Sequence, residues 1–157
     1  MALSYSTGLV HSVLNTGGTS FADTLSGFVI DVYSGTRPTT ADSAVITSAS
    51  VVLLGTITKG GVAATGTPAD YVVHMGTAVG RTIDKATAET WQFTAAVTGV
   101  ASWFRLRLPT DTAAASTTEV RIDGTIGTFS GDARLSTTDI TTGNVYTLNR
   151  FKLTWPA

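Results

Sequence analysis

The chain has 157 residues, enough for one domain with its own core and no need of metal or disulfide support. Only 13% of them are charged, against about 25% in ordinary domains, and ten basic residues against eleven acidic leave a formal charge of −1. That balance provides no positive field to gather nucleic acid or an anionic membrane, and the absence of cysteine removes disulfides and thiolate metal sites.

Thirty threonines weigh toward sheet, because a β-branched side chain suits a pleated strand and loses χ1 freedom in a helix. The first residues, MALSYSTGLVHSVLNTGG, lack a basic stretch followed by a continuous apolar one, and no run of about 18 apolar residues occurs anywhere. The expectation is a soluble product made in the cytoplasm.

Residues 1–25 carry short apolar patches, Leu9, Val10, Val13 and Leu14, then Phe21 and Leu25 beyond Gly17-Gly18. The spacing predicts one or two helical turns, marginal unless they pack on something. This segment is therefore expected to be an arm or cap, either a local flap on the core or an extension toward a partner. The domain proper is expected over 26–157.

From residue 26 the rhythm is strand and turn. In GFVIDVYSG, Phe28, Ile30 and Val32 share one face, and Val29, Asp31 and Tyr33 the other. Pro38 stops that strand. ASVVLLGTITKGG is apolar on both parities up to Leu54, which predicts a central strand covered on both faces or one covered by another subunit. After the polar stretch GVAATGTPAD come two short candidates, YVVHMG and GRTIDK. ETWQFTAAV then alternates clearly, and the Thr98-Gly99 step predicts a hairpin into ASWFRLRLP. There Phe104, Leu106 and Leu108 point to the core, while Arg105 and Arg107 share a wet outer face with Trp103 and pair with acids such as Asp123 or with those of a neighbouring subunit.

TTEVRIDGTIG follows a loop of disordered composition and turns Arg121 and Asp123 outward. In VYTLNRFKLTW, Tyr146 and Leu148 are out of phase with Phe151, Leu153 and Trp155, so a bulge is expected near Asn149. Eight or nine strands without a long helix predict an all-β single-domain sandwich, jelly-roll in topology, with an immunoglobulin-like arrangement as runner-up.

Chemistry-bearing patterns are sparse. His11 and His74 are the two histidines, and no GxSxG elbow presents a nucleophile. DGTIGTFSGD lacks the alternating acids and closing Glu of a calcium loop, and no phosphate-binding GxxxxGK[ST] occurs. No catalytic residue, cofactor or metal ligand is assigned. Trp91, Trp103 or Trp155 could stack on sugar in a glycan-binding module, but at least two of the three are expected in the core.

Four segments in order, FVIDVYSGTRPTTADSAV, LLGTIT, ETWQFTAAVTGVASWFRL and RIDGTIG, resemble a family of small structural proteins of tailed bacteriophages. The resemblance covers roughly residues 26–135 and stops short in the longer VVLLGTITKGGVAATGTPADYVVHMG portion and in ITTGNVYTLNRFKLTW. It implies a non-enzymatic virion component, foremost a decoration or cement protein on the capsid exterior. Its partners would be the major capsid protein and copies of itself. A tail-associated subunit is the alternative. The residues expected to touch a partner are Leu9, Val10, Val13, Leu14 and Phe21 in the arm, with Trp103, Arg105 and Arg107 on the outer strand face.

Overall fold

The computed structural model describes residues 3–15, 21–25 and 27–154, apart from the side chains of Leu14, Asn15, Ala22 and Asp23. The contact expected of the Leu14 side chain and the strand position expected of Trp155 fall outside the described residues. In chain order the elements are β1 (Ser4–Tyr5), α1 (Thr7–Asn15), α2 (Phe21–Thr24), β2 (Val29–Tyr33), β3 (Leu53–Lys59), α3 (Pro68–Tyr71), β4 (Thr82–Asp84), β5 (Trp91–Thr94), β6 (Gly99–Val100), β7 (Trp103–Arg107), β8 (Arg121–Gly127), β9 (Ala133–Arg134), β10 (Asp139–Ile140), β11 (Val145–Thr147) and β12 (Arg150–Thr154). The fold is all-β, as the threonine bias and the alternation predict.

The main sheet runs β11-β5-β3-β2-β7-β8-β9-β12-β4, with β1 also on β8, and β6 and β10 form a separate ribbon. All of these pairs are antiparallel except β8 with β9. Within the sheet, β7-β2-β3-β5 is a Greek key: three antiparallel neighbours and a fourth strand that returns beside the first. The return corrects one expectation. β5 and β7 are not a hairpin; β3 and β2 lie between them, and the Thr98-Gly99 step leads instead into β6, which pairs with β10.

The sheet curls until its ends meet. β11 pairs with β5 near one end of the path and β12 with β9 and β4 at the other, yet only Leu148 and Asn149 separate β11 from β12. The Leu148 amide donates to the Trp91 carbonyl and the Asn149 amide to the Arg134 carbonyl, so the chain changes neighbours at that step. In place of the bulge expected near Asn149, the change of parity is this crossing between two strands. It brings Phe151 within 5.5 Å of Trp91 and 5.2 Å of Phe104, ring centre to ring centre, and closes the core around Ile30, Leu54, Phe93, Leu106, Ile122 and Leu153. Such aromatic pairs add roughly 0.5–1.5 kcal/mol each beyond the area they bury.

The described part of the segment expected to be an arm or cap packs on this body. β1 adds to β8, Leu9 of α1 and Leu25 are fully buried in the core, and Asp42 receives both the amide and the hydroxyl of Thr7 at the start of α1. A nine-residue helix with little stability of its own is held by those contacts.

Candidate functional site

The second face of the central strands carries most of the chain's paired charge. Register alone lines up Thr56, Asp31, Arg105, Asp123 and Ser4 across β3, β2, β7, β8 and β1, with Val29, Arg107 and Arg121 in the next row and Tyr33 opposite Trp103. Arg105 grips Asp123 with two bonds, Nε to Oδ1 at 2.8 Å and Nη2 to Oδ2 at 2.7 Å, and both side chains have no exposed surface. Arg107 holds Asp31 diagonally at 2.7 Å, and Asp31 also accepts from Thr56 and from the Tyr33 hydroxyl. Arg121 is held by Asp111, at 2.5 and 2.6 Å.

This overturns the expected wet face. Trp103 and Arg105 are buried, Arg107 is mostly so, and Arg121 and Asp123 are buried as well. The cause lies in two loops that cover the face. From residues 34–52, the Ser43 carbonyl accepts from Arg105 and the Ala41 carbonyl from Arg121, while Arg37 donates to the Asp123 carbonyl. From residues 108–120 comes Asp111, whose side chain binds Arg121 and whose carbonyl accepts from Arg107. The loops are tied to each other by Val45 to Ala113 and Ser116 to Asp42. Loop composition alone, TDTAAAST, hid a buried carboxylate. The pairing of Arg105 with Asp123 stands as expected; Trp103, Arg105 and Arg107 are interior and present no outer contact surface.

Burial pushes the Asp123 carboxyl above the usual aspartate value, with the Arg105 bonds and the charges of Arg37 and Arg121 pulling the other way. Burial also pushes Asp111 up, but there the bonds from Arg121 and from the Ala113 amide prevail and hold it below the usual value. Burial raises the Tyr33 phenol as well, reinforced by the Asp31 charge and bond, so it stays protonated in ordinary buffers.

His74 forms the one histidine–acid pair among the described residues, its Nδ1 lying 2.7 Å from Oε1 of Glu89. Oε2 of Glu89 accepts the His74 amide at 3.0 Å and the Trp91 indole at 2.9 Å. Lys85 donates to the Glu89 carbonyl and stands over the Trp91 ring. Against the push of burial these bonds hold Glu89 below the usual glutamate value. The arrangement is a clamp that fixes the start of β5, with every carboxylate oxygen committed.

Several clefts open at the surface, among them a polar one of about 410 Å³ lined by Thr125, Ser130 and Asp132. A second, of about 440 Å³, opens above the stacked Tyr33–Trp103 pair and is lined by Thr36, Arg37, Pro38, Ser102 and Thr125. A third, about 340 Å³ and apolar, lies between the helical segment and the approach to β4, with Val13, Phe21, Ala78, Gly80 and Ile83 in its wall. Of the expected arm contacts, Val13 and Phe21 meet there, half-buried; Val10 is half-buried and Leu9 is wholly interior. Trp91 is buried like Trp103, so neither offers a ring to a sugar.

Alternation does not single out the large apolar residues that do reach solvent among the described residues, Ile46, Val62, Val79, Val97, Val100, Phe129 and Val145. Phe129, 90% exposed, could have been flagged by its place between Gly127-Thr128 and Ser130-Gly131, a turn with no strand to hide it. Among the described residues no group of His, Asp or Glu is arranged to hold a metal, and no helix is long and apolar enough to cross a membrane. Comparison with protein-family models, with curated proteins and with solved structures returns no match.

Proposed function

We propose that the chain is a non-enzymatic structural protein of a tailed-phage virion, a decoration or cement protein that binds the capsid exterior through the major capsid protein and associates with copies of itself. The observation that carries this reading is the fate of the resembling segments. Asp31, Tyr33, Ala41, Asp42, Glu89, Trp91, Arg105, Arg121 and Asp123 all lie in them or at their ends, and each is engaged in holding strands, loops or α1 together. Motifs built of such residues describe a scaffold. What is left outside is poor in charge and dotted with single apolar side chains, a surface suited to burial against other subunits.

The Greek key favours a jelly-roll-like reading of the fold, since jelly rolls are built of such keys. A cement protein adds stability to a shell by mass action, binding the assembled state and not its parts. Cryo-electron microscopy of purified virions of the encoding phage tests the reading. Density for this chain on the outer face of the head is expected; density confined to the tail, or none, would overturn it.

A further inference from the structure

We infer that the outer edge of β11, with the valines beside it, is the surface through which two copies of this chain pair, strand to strand and antiparallel. The inference rests on the reading that the protein associates with copies of itself, and not on where it does so.

β11 is the terminal strand of the main sheet and has one neighbour, β5. The Leu148 amide donates to the Trp91 carbonyl of β5's side, and the Asn144 carbonyl accepts from Ala95, so residues 144, 146 and 148 face β5. By alternation the amides and carbonyls of Val145 and Thr147 face away, and no backbone partner for them occurs among the described residues. An edge of this kind is a template for another strand.

Soluble proteins guard such edges with lysine, proline or a bulge. Lysine and proline are absent: residues 140–149, ITTGNVYTLN, contain no charge and no proline, and neither do residues 90–103, TWQFTAAVTGVASW; the glycine bulge that sets Gly143 and Asn144 opposite Ala95 lies ahead of Val145. The two stretches adjoin. Gly143 donates to the Ala95 carbonyl, the Thr98 and Thr142 hydroxyls are 3.0 Å apart, and Ile140 pairs with Gly99. The result is one charge-free end of the molecule carrying Val97, Val100 and Val145, each at least 41% exposed, its two stretches bounded in sequence by Asp139, Arg150 and Glu89.

Charge decides the occupant. In a two-fold contact each residue meets its own kind or a near neighbour, so any charge on the edge would face a like charge. An edge neutral over ten residues is compatible with itself. Centred on Tyr146, the pairing sets Val145 of one copy opposite Thr147 of the other and satisfies the outward amide and carbonyl of each.

Native mass spectrometry and analytical ultracentrifugation of the purified chain over a concentration series test this, with Val145→Lys and Thr147→Pro as variants. Lysine places like charges across the two-fold, and proline removes an outward amide while leaving the main-chain bonds to β5, at the loss of the long Thr147 hydroxyl bond to Gln92. Circular dichroism and the urea midpoint verify that each variant is folded. A wild-type dimer and monomeric, folded variants are expected. A wild-type monomer at all concentrations would overturn both the pairing and the self-association it rests on; an oligomer insensitive to both variants would overturn this surface alone. If one variant fails to fold, the other decides.

Discussion

Arg105 and Asp123 make the sharpest case at the scale of single residues. Two charges with no exposed surface carry a desolvation cost that only close, bidentate geometry offsets, so removing one partner strands the other. Asp123→Asn and Arg105→Met are each expected to lower stability by roughly 3–5 kcal/mol in urea unfolding. The double variant Arg105→Met/Asp123→Leu should lose much less than the sum, because no charge is then left unpaired. Equal losses in single and double variants would show that the pair's packing, and not its charge, matters. The pH response follows from two other carboxylates. Asp111 and Glu89 titrate below their usual values, so the stability they contribute is present above the unfolded value of about 4 and is lost as pH falls through the folded one. Unfolding midpoints measured on acidification should fall for the wild type and fall less steeply for Glu89→Gln, which is weaker at neutral pH but has no charge to lose.

Among the elements, the helical segment and β8 bear the consequences. Leu9→Ala leaves a void in the core and is expected to cost about 2–5 kcal/mol; deleting residues 1–25 removes β1, Leu9 and Leu25 together and should leave the chain unable to complete a cooperative thermal transition. A folded deletion product of wild-type midpoint would show the segment to be an arm after all. Gly124→Ala is a smaller test in β8: its Cβ would press on the Phe104 ring and the Leu3 side chain, at an expected cost of about 1–3 kcal/mol. How far these elements were legible depends on what period can encode. Alternation over residues 28–33 and 103–108 placed Ile30, Val32, Phe104 and Leu106 on the core face correctly, and the parity break near Asn149 marked the step between β11 and β12. Alternation says nothing of what lies over the other face. Arg105 and Arg107 looked solvent-facing because the loops that cover them, held by main-chain carbonyls of Ser43 and Ala41, have no period at all. Strand neighbours were equally hidden: nothing local to Thr98-Gly99 tells a hairpin from a crossing into β6.

Over the whole molecule, two basic and three acidic side chains are drawn inward, and the remaining eight of each sign balance. Arg105, Arg121, Asp31, Asp111 and Asp123 are all buried, in a chain with few charges to begin with. That distribution gives little mutual repulsion between copies and little long-range attraction to anionic polymers, the behaviour wanted of a subunit that works by occupying a surface. Binding to a shell should accordingly depend only weakly on ionic strength. The central claim is that this surface decorates a phage head, and counting copies per virion by quantitative mass spectrometry against the major capsid protein tests it most directly. The account predicts a copy number that scales with the capsid protein; a number set by the tail axis, or no copies in purified virions, would contradict it.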